Sequence, residues 1–365
     1  MRLTKEVYLR ILSEFELNDQ PADATPFGNG HINDTLKVTT DKGEDKYVLQ
    51  RINHRIFTDV EMLQNNIHTV TSHIRKKLEA RGEQDIDRKV LTFLPTRDGK
   101  RYYFDGENYW RVSLMIPRSQ SFEEVNVALS YEAGKAFGDF QSMLSDLPEG
   151  ALGETIPDFH NMAFRLQQFH DAVKANPAGR LDEVQDLIAE VELRAEAMCV
   201  QEVLYREGKL KKRTNHCDTK VNNILFDENG KVLCVIDLDT VMPGFVLSDI
   251  GDFIRTGANT GAEDDENPDH INVNVEIFKA YTRGYMETAK SFLSPLEISL
   301  LAYGGRLLAY MQTVRFLTDY INGDTYYKIH KPKHNLIRTK AQFKLLQSLE
   351  AHAAEMDAFM QAYLT

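Results

Sequence analysis

Strand-like segments occupy only two parts of this 365-residue chain, and that division limits the possible folds. In the first part, short runs at 25–27, 34–39, 46–51, 90–94, 101–105 and 109–115 carry β-branched and aromatic residues. They are punctuated by Gly28-Asn29-Gly30, the DKGED stretch, Asp98-Gly99 and Asp105-Gly106, which are turn signals. Two helices are expected beside them. One covers 4–17, with apolar Val7, Tyr8, Ile11, Leu12 and Phe15. The other covers 59–81, where Val60, Leu63, Ile67, Val70, Ile74 and Leu78 form one stripe. After Pro117 the pattern turns helical, at 128–144, 162–175, 181–207, 274–290, 295–322 and 335–363. A single hairpin, 222–226 and 231–237, interrupts it. The expectation is an α+β, bilobal chain. Residues 1–115 form a small antiparallel sheet lobe with one long helix, and residues 116–365 form a large helical lobe. A cleft between lobes is the natural ligand site.

Composition narrows the function. Hydrophobic residues, at 42%, suffice for a sizeable core. No run approaches the roughly 18 apolar residues of a membrane helix. Charges interrupt the first residues, so no export signal is expected. Cys199, Cys217 and Cys234 lack metal-ligand spacing, which points to a reducing, cytoplasmic setting and three small buried side chains. A net charge of −12 argues against a nucleic-acid or anionic-membrane partner.

The strongest chemical signal is H-x-D-x-x-x-x-N at His216, Asp218 and Asn223, followed by Asp237-Leu238-Asp239 at the end of the hairpin. Phosphoryl transfer from a nucleotide needs such groups at about this spacing. Asp218 would accept a hydrogen bond from the attacking hydroxyl. Asn223 and Asp237, brought together by the hairpin, would hold Mg²⁺ through hard oxygen ligands. Lys220 would place a positive charge near the transferring phosphate. The alternative makes these residues hairpin turns and caps; the combination with this layout favours catalysis.

These motifs resemble the aminoglycoside phosphotransferase and choline kinase-like superfamily, whose fold is similar to that of protein kinases. PFGNGHINDT, KYVLQRIN, AFGDFQ, NHCDTKVNNIL, IDLDTVMPG, DIGDFIRTGA, FKAYTRGY, RFLTDYINGDTYY and HNLIRTK carry the resemblance along most of the chain. HIN, RFLTDY and GDTYY are more specifically similar to the N-acetylhexosamine 1-kinase group. The resemblance implies a Mg²⁺- and ATP-dependent kinase acting on the anomeric hydroxyl of GlcNAc or GalNAc, with Asp218 as base and Asn223 and Asp237 as metal ligands. It also implies that His31, Arg315 and Tyr326 contact the sugar. The alternatives are an aminoglycoside or other small-alcohol phosphotransferase, or a non-catalytic nucleotide-binding protein.

Several segments allow two readings. Gly28, Asn29, Gly30 and Asn33 form a phosphate-covering loop or a plain β-turn. Met115 and Ile116 look like an interlobe connector whose backbone binds adenine, or a strand end. A kinase-like fold usually has a basic residue on its third strand, but here Gln50 stands in that place and Arg51 follows. Glu61 is a candidate partner for that missing residue, or simply solvated. Asp249 and Asp252 precede a helical run, as caps or as braces for the catalytic loop; bracing is favoured. Arg315 and Asp319 are four apart and pair on a helix unless Arg315 faces the sugar. Asp324 and Tyr327 belong to the same polar group, while His334 and Arg338 have no assigned role. The acidic residues 263–266 fit a solvated loop better than a polycation pocket.

Overall fold

Leu36 and Val38 lie two apart on one strand, Tyr47 and Leu49 two apart on the next, and all four are buried. Period-two spacing sends them to one face of a sheet. The computed structural model describes residues 4–28 and 32–364. The strands of this sheet are β1 (Pro21–Pro26), β2 (Asp34–Thr40), β3 (Asp45–Ile52), β4 (Phe93–Leu94), β5 (Tyr103–Phe104) and β6 (Tyr109–Leu114). All pairings are antiparallel, in the order β1-β2-β3-β6-β4, with β5 also on β6. Helix α1 (Lys5–Leu12) adds Ile11 and Leu12 to a core that includes Leu36, Val38, Tyr47, Leu49, Trp110 and Val112. Truncating a core residue such as Leu49 to alanine costs about 2–5 kcal/mol.

The helix expected over 4–17 stops at Leu12. Ser13 Oγ donates to Arg10 O at 2.6 Å, and Phe15 pairs with Thr96 in an isolated bridge. Phe15 therefore reaches the core from extended backbone. Helix α2 (Val60–Ala80) buries the expected stripe, and Asp59 caps it by accepting Met62 N–H at 2.8 Å. These elements belong to one compact unit, Met1–Ser121 with Asp146–Pro157 and Ile224–Met242, which includes the hairpin of Ile224–Phe226 and Val232–Val235.

The second unit comprises Phe122–Ser145, Asp158–Asn223 and Pro243–Thr365. It contains α3 (Val127–Leu144), α4 (Met162–Ala175), α5 (Gln185–Arg194), α6 (Val200–Arg206), α7 (Val246–Gly257), α8 (Val275–Ala289), α9 (Pro295–Ile321), α10 (His334–Ala351) and α11 (Ala353–Gln361). Residues 181–207 are not one helix: α5 and α6 are separated by a 3₁₀ turn, Ala197–Cys199. Residues 335–363 break at His352, whose ring contacts Ser348 O at 2.9 Å while its own backbone leaves the helical region. A helical run was expected only after Asp252; α7 begins at Val246, so Asp249 and Asp252 lie inside it, not ahead of it.

Two arrangements in this unit position the strand and helix used below. Ser294 and Glu297 form a capping box at the start of α9. Glu297 also takes the Arg213 guanidinium at 2.7 and 2.8 Å, anchoring the strand Arg213–Asn215. Helices α7 and α9 meet backbone to backbone: a Cβ on Gly251 would lie 2.2 Å from Gly304 O. Among the described residues no helix is long and apolar enough to cross a membrane. Among the described residues no disulfide forms, and Cys217 and Cys234 are buried.

Candidate active site

The loop carrying Asp218 is bent at Cys217, which has φ +64°. That left-handed conformation is uncommon for a residue with a side chain and needs support from its surroundings. Helix α7 supplies it. Asp249 Oδ1 accepts Cys217 N–H and Asp249 Oδ2 accepts His216 N–H, both at 2.8 Å. One turn on, Asp252 Oδ2 accepts Thr219 N–H at 3.0 Å, and Thr219 Oγ1 donates to Asp249 O. The three-residue spacing puts both carboxylates on one helix face. From α3, Gln141 Nε2 donates to Asn215 Oδ1 at 3.0 Å and to Asp249 Oδ2 at 2.7 Å, and Gln141 Oε1 accepts Tyr285 OH. His216 is buried with its ring edge-on to Phe137 and Phe140. Burial pushes the Asp249 carboxyl up to about 6, against the pull of His216 and the donors it accepts.

This frame presents Asp218 between two partners. Lys220 Nζ stands 3.3 Å from Oδ1, and Asn223 Nδ2 donates to Oδ2 at 3.1 Å and to Asp218 O at 2.9 Å. The carboxylate raises the pKa of Lys220, so the ammonium stays charged, though burial acts the other way. Asn223 Oδ1 makes no hydrogen bond to a described residue and is available to a hard cation. Asp252 also pairs with Arg255 at 2.8 Å, and Arg255 with Glu263 at 2.9 Å. Burial disfavours the Asp252 charge, but Arg255 and Lys220 outweigh it and hold its pKa down.

The sheet unit holds the other predicted residues. Asp237 follows the hairpin with φ +58°. Among the described residues no three His, Cys, Asp or Glu side chains group as a metal site. Mg²⁺ bound through nucleotide phosphates needs only one or two protein ligands, so an amide oxygen and a carboxylate suit it. Gly28 has φ +74°, the turn geometry its position requires. Asn33 Nδ2 donates to Asp239 Oδ2 at 2.5 Å, and Asn33 Oδ1 accepts Asn53 N–H at 2.9 Å. Asn29, Gly30 and His31 lie outside the described residues. Met115 N–H is used by Lys46 O at 2.9 Å, and Ile116 O accepts Ser119 Oγ at 2.8 Å. Arg51 pairs with Asp34, and Gln50 Nε2 donates to Thr35 Oγ1 at 3.1 Å.

In the helical unit Arg315 does not pair with Asp319. Its Nη1 donates to Gln312 Oε1 at 2.8 Å, and its guanidinium lies 5.2 Å from the Phe159 ring centre and 5.6 Å from that of Tyr327. Asp319 is buried and accepts the N–H groups of Thr325, Tyr326 and Tyr327 at 2.8–2.9 Å, plus Asn335 Nδ2. It shapes the turn after α9. Tyr326 is exposed, with its ring against Tyr327. Arg165, which sequence reading did not single out, donates to Phe159 O at 3.0 Å. Burial lowers the Arg165 pKa to about 10, with Arg315 adding to the shift. Tyr327 Oη is buried without a hydrogen-bond partner among the described residues, and burial raises its pKa. His334 is held by Asp264 at 2.8 Å, and Arg338 by Lys328 O and Asn335.

A family model for phosphotransferase enzymes matches residues 23–285. Solved structures share the fold at low identity. An AMP-bound spectinomycin phosphotransferase is 13% identical, with TM-score 0.59 over 97% of this chain and 99% of the other. An aminoglycoside phosphotransferase from Alicyclobacillus acidocaldarius is 13% identical, with TM-score 0.53 over 100% and 96%. An ethanolamine kinase from Plasmodium vivax is 14% identical, with TM-score 0.52 over 88% and 82%. The shared architecture is the kinase-like one: an antiparallel sheet region followed by a helical region.

Proposed function

The chain belongs to the phosphotransferase enzyme family, and on that premise we propose that it is an ATP-dependent kinase of the anomeric hydroxyl of N-acetylhexosamines. The observation that carries the chemistry is the Asp218 carboxylate, held between Lys220 and Asn223 on a loop fixed by Asp249 and Asp252. Such a carboxylate orients the sugar hydroxyl and accepts its proton as the sugar oxygen bonds to the γ-phosphorus and the bond from that phosphorus to the β,γ-bridging oxygen breaks, releasing ADP. Lys220 offsets negative charge on the transferring group. Mg²⁺, held by Asn223 and Asp237, neutralises phosphate charge when bound. Met115 C=O and Ile116 N–H are the connector groups left for adenine. The glycine loop covers the phosphates, so an acidic chain meets a polyanion through local donors and not through its overall field.

The acceptor reading rests on the sequence resemblance and on the Arg315 group. Arg165 and Arg315 both contact Phe159, and Tyr327 offers a buried hydroxyl with no hydrogen-bond partner among the described residues. Two guanidiniums repel a polycationic aminoglycoside and suit a neutral polyol, for which Arg supplies planar multi-donor contacts. His31 and Tyr326 are further proposed sugar contacts. The test is turnover of MgATP by the purified protein against free GlcNAc, GalNAc, other hexoses, ethanolamine and aminoglycosides. Preferential ADP release with the N-acetylhexosamines supports the proposal. Turnover confined to aminoglycosides or amino alcohols refutes it.

A further inference from the structure

Strand β3 carries Gln50 where a kinase-like sheet ordinarily places the lysine that grips the α- and β-phosphates. Arg51 does not replace it. Alternation puts Arg51 on the same sheet face as the buried Leu49, and its guanidinium pairs with Asp34. We propose that Arg111, on the neighbouring strand β6, takes the place of that lysine and binds the α- and β-phosphates of the nucleotide. The assignment rests on the phosphotransferase reading above.

Register comes first. Gln50 and Arg111 are direct partners in the β3–β6 ladder. Directly opposed residues project from the same face, so Arg111 delivers its charge to the face that Gln50 occupies. Trp110 and Val112 on either side of it point into the α1 core. The guanidinium is buried, with 3% of its side chain exposed, and a buried cation persists only with partners. Nε donates to Gln50 Oε1 at 2.9 Å, Nη1 pairs with Asp239 Oδ1, and Phe93 stacks 5.4 Å away. Nη2 makes no hydrogen bond to a described residue. An arginine, unlike a lysine, can hold two internal partners in fixed directions and still present an edge.

The surroundings turn this pair from a core feature into a phosphate contact. Asp239 lies two residues after Asp237, the proposed metal ligand, and its second oxygen accepts Asn33 Nδ2. Asn33 stands three residues after Gly30, in the segment proposed to cover the phosphates. Gln50 Nε2 reaches Thr35, at the start of the strand that leaves this loop. Arg111 is thus tied to both segments that hold phosphates in the proposed reaction. Asp239 acquires a role as well: it balances Arg111, as an acidic partner balances the lysine in protein kinases.

Titration of the full chain with MgADP and, separately, with adenosine tests this. Two variants are compared with wild type: Arg111→Lys, and the exchange Gln50→Lys with Arg111→Gln, which moves a cation one strand across. Arg111→Lys is expected to weaken MgADP about 10- to 100-fold, the effect of one charged hydrogen bond, and to leave adenosine within about twofold. The exchange is expected to recover most MgADP affinity. Melting temperatures identify any loss of fold, and where Arg111→Lys is unstable the exchange decides. Unchanged MgADP affinity in Arg111→Lys, or equal loss of MgADP and adenosine, reduces Arg111 to a structural ion pair and overturns the assignment. A folded exchange variant that fails to recover MgADP also overturns it. If wild type binds adenosine and MgADP equally, or neither, the phosphotransferase reading itself falls and takes the assignment with it.

Discussion

Asp249 accepts the N–H of Cys217 at 2.8 Å, and Cys217 is the left-handed residue on which the loop carrying Asp218 turns. Backbone in that region costs about 1–3 kcal/mol and persists where its surroundings over-determine it. The same carboxylate holds His216 N–H, so one buried side chain sets two consecutive peptides just ahead of Asp218.

Asp249→Asn replaces one acceptor oxygen with a donor and leaves one of those N–H groups unpaired. Stability at pH 7 should fall by about 1–3 kcal/mol, and kcat by at least tenfold, with little change in the KM for ATP. The pH dependence has a definite sign. The folded-state pKa of about 6 lies above the ordinary carboxylate value of 3.8. This group therefore favours folding most below about pH 4, and that contribution is lost as pH rises through about 6. Urea unfolding at pH 4.5 and 7 should show a component of this sign in wild type that is missing from Asp249→Asn.

Asp218→Asn should retain MgATP binding while kcat falls by about 10²–10⁴, because the amide cannot take the hydroxyl proton. Asp237→Ala should weaken Mg-nucleotide binding instead, since a proposed ligand of the ion is removed. Calorimetric titration beside steady-state kinetics checks both. Near-parental kcat in Asp218→Asn would remove it as the base.

Arg315→Ala and Asp319→Ala should behave differently, because these residues do not pair. Arg315→Ala should raise the sugar KM and lower kcat/KM by about 1.5–3 kcal/mol, with the ATP KM unaltered. Asp319→Ala strips the acceptor from three consecutive N–H groups and should lower the melting temperature sharply. A sugar KM unchanged in Arg315→Ala would take it out of the substrate site.

Local patterns were the legible part of this protein. The α2 stripe, the sheet strands and the H-x-D-x-x-x-x-N spacing are written in neighbouring residues, and Asp218 and Asn223 do meet. The start of α7 was hidden because Asp249, Gly251 and Asp252 weaken the intrinsic propensity of its first turns; burial against α9 overrides that. The partner of Gln50 was also out of reach. Arg111 lies 61 residues away, and only the strand register brings it opposite. Arg315 illustrates a competing local solution: the four-residue spacing to Asp319 allows a pair, but Asp319 is taken by the backbone of the turn beyond its own helix. Phe159 and Arg165 carry no motif and emerge only through packing.

The site of phosphorylation on the sugar tests the proposed function most directly. Purified protein is incubated with MgATP and uniformly ¹³C-labelled GlcNAc, and the product is read by phosphorus–carbon coupling in the NMR spectrum. The predicted result is coupling to C1 and loss of the reducing end, both abolished in Asp218→Asn. Coupling to C6, or no sugar phosphate from GlcNAc or GalNAc, would contradict an anomeric N-acetylhexosamine kinase.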